Sequence, residues 1–262
     1  MPNPQKTAMA ALAALCLVMG PVLTHVAHAR PFPFAPGETL TYALRWEAVP
    51  AGQATLAVAP MASFANQTAW HFVMTAHTNA FVDFFYKVRD RIDAHTDAAL
   101  DKSLHFSQIQ REGSYHRDID VAFDWTRLRA TYSNRGEPRD PIVIYPGTYD
   151  VLSIFYAFRL MPVATGARLA ASVTDGKKNV IGYADVHERV WITTPAGEFD
   201  TYRIIPDLQH LGGVFKKSDD AILELWVTAD GRNIPVRIKS KVVVGSFYAD
   251  LIELREGIGA GD

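Results

Sequence analysis

Asp150-Val151-Leu152-Ser153-Ile154-Phe155-Tyr156-Ala157-Phe158-Arg159-Leu160-Met161-Pro162 is the stretch on which the reading of the fold turns. Thr148 stands ahead of it as a helix cap. Asp150 sits in the first turn, where the helix dipole favours an anion, and Pro162 stops it. Its apolar side chains, from Val151 and Leu152 to Leu160 and Met161, run round nearly the whole circumference. A helix that is apolar on all sides is buried. Nearly everything around it reads as strand. The pattern therefore predicts an all-β molecule with one central helix: a large curved antiparallel sheet or half-barrel wrapped around residues 150–161.

Outward from this helix, short alternating runs follow one another. Thr39 to Trp46 places Leu40, Tyr42, Leu44 and Trp46 on one face. After a turn expected at Pro50-Ala51-Gly52, Ala54 to Val58 is its hairpin partner. Trp70 to Thr78 alternates in the same way. Asp175-Gly176 and Asp230-Gly231 supply the positive φ angles of tight hairpins, and Pro195-Ala196-Gly197 supplies another turn. Gly245 interrupts the run Val236–Leu254 and reads as a bulge or bend. A dozen or so strands follow from about this turn spacing, which favours a meander, sandwich or barrel over βαβ units. A second, shorter helix is expected after Asn79, which caps it.

The chain has 262 residues, 26 basic and 28 acidic. Residues 1–29 read as a cleavable secretory signal peptide. Lys6 gives the positive end, Ala8 to Leu23 the apolar region, and Ala27-His28-Ala29 the small residues before cleavage. The apolar stretch is short for a membrane span and carries Gly20 and Pro21. Cys16, the only cysteine, lies inside this leader behind Leu15, which does not suit a lipoprotein signal. Residues 30–262 then form a single thiol-free domain that relies on its hydrophobic core. The near-neutral charge balance gives no strong field of either sign, so no nucleic-acid partner is expected. No transmembrane segment is expected in the mature chain, and the expected location is the periplasm.

Chemistry is harder to find. His116, Asp118, Asp120 and Asp124 alternate along one strand and share a face, as do Asp93, His95 and Asp97. Either set has cation-binding residue types, and either is equally the polar outer face of a strand. No Gly-x-Ser-x-Gly elbow and no His-Glu-x-x-His is present. No catalytic residue, metal ligand or cofactor is assigned. The aromatic clusters give two open readings, core packing or an apolar cavity between sheet and helix. On the second reading the ligand-binding residues are Phe81, Phe85, Phe155, Tyr156, Arg159 and Trp226, with Arg159 meeting an anionic head group or else standing in solvent.

Several motifs occur together in order. Phe34-Ala35-Pro36-Gly37-Glu38-Thr39-Leu40-Thr41-Tyr42 is followed by Trp46 and Ala51-Gly52. Then come Asp150-x-x-Ser153-x-x-Tyr156-x-x-Arg159, Asp175-Gly176-Lys177, Thr194-Pro195-x-Gly197-x-Phe199 and Trp226-x-x-x-Asp230-x-Arg232-x-Ile234-Pro235-Val236. Gly245-Ser246-Phe247 closes the series. The set resembles the bacterial domain of unknown function 3108 family over nearly the whole mature chain. The resemblance implies an exported protein of a Gram-negative envelope and brings no catalytic residues. Its architecture looks like other periplasmic half-barrels, some of which carry lipoproteins or support envelope integrity. The expected function is a non-enzymatic binding or envelope-maintenance protein with an apolar groove for a lipid, acyl chain or peptide. The alternatives are a hydrolase of envelope polymers and a structural partner of another envelope protein.

Overall fold

The computed structural model describes residues 32–207, 222–242 and 245–258. The leader reading, residues 1–29, lies outside them. The first half is a meander of β1 (Thr39–Trp46), β2 (Val49–Phe64), β3 (Gln67–Thr78), β4 (Arg89–Asp97), β5 (Ser103–Glu112), β6 (Tyr115–Asp124) and β7 (Arg129–Asn134). The short helix α1 (Ala80–Asp83) lies between β3 and β4. Three two-residue strands follow: β8 (Glu137–Pro138), β9 (Ile142–Val143) and β10 (Tyr149–Asp150). Next come α2 (Ser153–Ala157) and a 3-10 turn at Phe158–Leu160. The second half is β11 (Arg168–Thr174), β12 (Asn179–Thr194), β13 (Gly197–Pro206), β14 (Ile222–Thr228), β15 (Pro235–Val242) and β16 (Gly245–Arg255).

These strands make one sheet, in the order β10-β11-β12-β13-β14-β15-β16-β1-β2-β3-β4-β5-β6-β7-β8, with β9 on β7. All pairs are antiparallel except β10 with β11. The first long strand is therefore interior, between β2 and β16. The far ends of the sheet approach each other without joining as a ladder. Ser103 N–H donates to the Thr148 carbonyl at 3.1 Å, Tyr149 Oη donates to the Leu100 carbonyl, and Tyr145 N–H donates to Asn179 Oδ1. The β11–β12 turn packs inward: a Cβ on Gly176, whose φ is +80°, would stand 2.7 Å from Val121 Cγ2 on β6. Sequence and structure agree on a large, unclosed, curved sheet around one helix.

The inner face is the one that meets α2. Leu40, Tyr42, Leu56, Val58, Trp70, Phe72, Ala94, Phe106, Val121 and Leu251 are buried there with Tyr156. A second cluster, Val186, Ile204, Leu225 and Val227, takes Phe155 and Phe158. Glycine is needed at Gly52, where a Cβ would lie 2.0 Å from the His77 carbonyl of β3.

Four local expectations are corrected. The central helix is shorter than 150–161, because Asp150 belongs to β10 and the residue before Pro162 is forced out of helical geometry; Met161 is extended, with ψ 147°. Thr148 is not its cap. The Thr148 hydroxyl donates to the Tyr145 carbonyl and bonds the Ser172 hydroxyl, while Asp150 takes the first helical amides. The first hairpin turns at Glu47, with φ +49°, and Pro50 to Gly52 already lie in β2. Gly245 opens a separate strand that pairs with β15, rather than bending a continuous one.

Candidate functional site

The motif Asp150-x-x-Ser153-x-x-Tyr156-x-x-Arg159 is a pair of pins that hold α2 in the sheet. The Asp150 carboxylate is buried. It accepts from Ser103 Oγ (2.5 Å), Ser153 Oγ (2.6 Å) and the amides of Leu152 and Ser153 (both 2.8 Å). Burial pushes its pKa up, and these four donors oppose the rise. At the other end the Arg159 guanidinium is buried against the Glu38 carboxylate, with Nη2 to Oε2 at 3.1 Å. Its remaining N–H groups donate to the carbonyls of Pro33 and Arg232, and Phe34 lies under it at 5.0 Å. Between the pins the Tyr156 ring stacks on Phe72, centroids 3.8 Å apart.

The six predicted ligand residues do not gather in one place. Tyr156 and Arg159 are in the packed interior. Arg159 is buried against Glu38 and does not stand in solvent. Phe155 is half-buried in the second cluster. Trp226 is half-buried on the face of β14 opposite Leu225 and Val227. Phe81 and Phe85 are exposed at the β3–β4 connection. Sequence reasoning missed Glu38 as the counter-ion; the signal available was that Glu38 and Arg159 both fall in the recognisable motifs.

An open apolar surface lies elsewhere on the inner face. Burial declines along each strand away from α2. On β1 the inner residues Leu40 and Tyr42 are buried, Leu44 is half-buried and Trp46 is 47% exposed. On β16 the series is Leu251 buried, Ala249 half-buried, Phe247 43% exposed. Phe72 gives way to Met74 on β3, and Val121 to Ile119 on β6. The ladder does not end with the helix: Trp46 pairs with Phe247, and Ala76 with Asp90. The sheet thus runs on beyond α2, and there Asp90, Gln108, Gln110 and Arg117 share the inner face with the apolar residues. Leu44, Met74, Ile119 and Ala249 are the half-buried apolar border of this stretch, the last three packed against the core; sequence reasoning singled out none of them as a binding surface, because alternation alone does not say where the helix stops.

At this open end the β3–β4 connection displays four aromatic rings. Phe81 is 65% exposed, Phe84 83%, Phe85 72% and Tyr86 48%. Their frame is well tied. Asn79 Oδ1 accepts from Val82 N–H, as expected of a cap, and Asn79 Nδ2 donates to the Pro50 carbonyl of the neighbouring hairpin. Asp83 pairs with Arg89 at 2.6 Å and also accepts from Thr78 Oγ1, which lowers its pKa to about 2.

The two acidic strands are accounted for by pairwise contacts on the outer face. Asp118 pairs with Arg111, Asp120 with His105, and Asp124 with Arg127; His116 bonds the Gly113 carbonyl. Asp93 takes both His71 and Arg91, and Asp97 caps the amides of Asp101 and Lys102. His71 and His95 stack at 4.4 Å across β3 and β4, with Phe64 over His95 at 4.9 Å and over His105 at 5.3 Å. Burial and the two neighbouring imidazoles lower the His95 pKa to about 4. Among the described residues no group of three or more His, Cys, Asp or Glu is arranged to hold a metal ion, and no helix is long and apolar enough to cross a membrane.

A curled, unclosed antiparallel sheet clasping a pinned helix defines a β-barrel-like class of protein, and a solved structure shares it. A β-barrel-like protein of domain of unknown function DUF1849 from Brucella abortus is 9% identical, with a TM-score of 0.55 over 85% of this chain and 98% of that one. A Bacteroides fragilis protein with a YmcC-like fold is 12% identical, with a TM-score of 0.41 over 86% of this chain and 98% of that one. No curated protein matches. The family described as protein of unknown function DUF3108 matches residues 41–252, and the chain belongs to it.

Proposed function

We propose that this is an exported, periplasmic, non-enzymatic binding protein that holds a lipid or acyl chain in the groove beyond α2. The observation that carries the reading is the run of half-buried apolar side chains, Leu44, Met74, Ile119 and Ala249, on a stretch of sheet that the helix leaves uncovered. Such a surface costs free energy in water, roughly 25 cal/mol per Å² of apolar area, and an acyl chain removes that cost on binding. The groove is open at the end ringed by Trp46 and Phe247, so a chain enters tail first and leaves its polar head outside.

The test is uptake of a fluorescent fatty acid by the purified mature chain, together with native mass spectrometry of the protein as isolated. The expected result is a bound amphiphile and saturable uptake. Met74→Glu, which puts an unpaired carboxylate in the groove, lowers affinity by about tenfold or more. A chain that carries no amphiphile and takes up no probe would refute the reading.

A further inference from the structure

The four rings at the β3–β4 connection are a different feature from the groove. They lie on the rim, they point into solvent, and the capped and ion-paired frame of α1 keeps them there. Their neighbours are the tips of the β1–β2 and β5–β6 hairpins and the start of β16. Asn79 N–H donates to the Ala51 carbonyl, a Cβ on Gly113 would lie 3.0 Å from the Tyr86 ring, and Trp46 pairs with Phe247. Val49 and Tyr115 on these tips are exposed as well. All these apolar groups therefore stand at one end of the molecule.

The charge at that end is net positive. Segments 45–50, 78–91, 110–117, 239–242 and 245–247 carry eight Lys and Arg against four Asp and Glu, in a chain whose net charge is −2. Two of the four acids are occupied internally, Asp83 by Arg89 and Glu47 by the amide of Ser246, and five of the eight cations are ion-paired: Arg45 with Asp250, Arg89 with Asp83, Arg91 with Asp93, Arg111 with Asp118 and Lys239 with Glu224. Lys87, next to the rings, and Lys241 are exposed. Exposed aromatic rings beside exposed lysines suit the boundary layer of a bilayer, where rings enter among the upper acyl carbons and ammonium groups meet phosphates.

We propose that this end docks on the surface of an anionic lipid bilayer, with Phe81, Phe84 and Phe85 inserted at headgroup depth and Lys87 on the phosphates. The docking does not depend on the groove holding a ligand.

The experiment is co-sedimentation of the mature chain with vesicles of phosphatidylcholine, alone or mixed with phosphatidylglycerol, at low and raised salt. The expected result is binding to the mixed vesicles that weakens with salt. The triple variant Phe81→Ser/Phe84→Ser/Phe85→Ser binds about tenfold or more weakly, and Lys87→Glu removes the preference for the anionic lipid. Near-UV circular dichroism shows that both variants keep the fold, and fatty-acid uptake by the triple variant separates this test from that of the groove. Wild-type protein that stays in the supernatant overturns the proposal, as does a triple variant that sediments like wild type. A wild-type chain that ignores vesicles and forms dimers, which the triple variant abolishes, assigns the rings to self-association and overturns it too.

Discussion

Arg159 and Glu38 show how much one buried pair can organise. They are 121 residues apart in sequence, and each would be an uncompensated charge in the core without the other. Removing one partner of such a pair costs about 3–5 kcal/mol, whereas replacing both by apolar groups of similar volume is far milder. Arg159→Met should therefore lower the unfolding midpoint sharply, and so should Glu38→Leu. The double variant should recover a large part of the loss, which chemical denaturation of all three chains will measure. A double variant no more stable than the worse single one would mean that the pair does not act as a unit. The sequence marked Arg159 as unusual, a charge on an otherwise apolar helix, but could not supply its partner. Glu38 looks like any charge ahead of a strand until the fold brings β1 under the helix.

At the scale of elements, strands were far more legible than helices. Alternation in Thr39–Trp46 and Trp70–Thr78 located both the strands and their inner faces, because a period of two leaves no ambiguity about which residues go together. The central helix was over-read because composition cannot separate α2 from the flanking apolar residues of β10 and the 3-10 turn. The acidic strands are explained without a site: Asp93, Asp118 and Asp120 have partners across the ladder in His71, Arg111 and His105, which only the register reveals, and Asp97 and Asp124 have theirs in the adjoining turns. The same register stacks His71 and His95 on β3 and β4, and this gives a pH dependence. The His95 pKa in the fold, about 4, lies below its ordinary 6.5, so the unfolded chain binds the proton more readily. Stability from this residue is complete above pH 6.5 and falls as the pH drops toward 4. Thermal midpoints should decline across that interval. With His95→Gln, beside the same His71, Asp93, His105 and Asp120, the decline should be shallower; equal slopes would exclude His95 as its source.

On the scale of the molecule, topology gives the sharpest expectation. β16 is the neighbour of β1, so the two ends of the described chain are stitched together through eight paired residues on each strand. A chain ending after Val242 would leave β1 with an open edge, take away Leu251 from the core and strip Asp250 from Arg45 and Arg237. Loss of protease resistance and of near-UV circular dichroism is expected for this truncation; a cooperative unfolding transition in the truncated chain would show that the first fifteen strands suffice. The overall architecture was readable from sequence because it follows from one apolar helix among many strands. The groove was not, because it depends on where the helix ends relative to the ladder. The gap in the sheet has a consequence of another kind. Where the β10–β12 side meets β4–β7, isolated hydrogen bonds such as Tyr149 to Leu100 and the packing of Gly176 against Val121 and Tyr132 replace a strand-to-strand zipper. Such a collar can widen or tighten by sliding along its opening while every ladder stays intact. Its bore is then an adjustable dimension, set by whatever lies inside it, where that of a fully closed barrel is fixed by strand number and stagger.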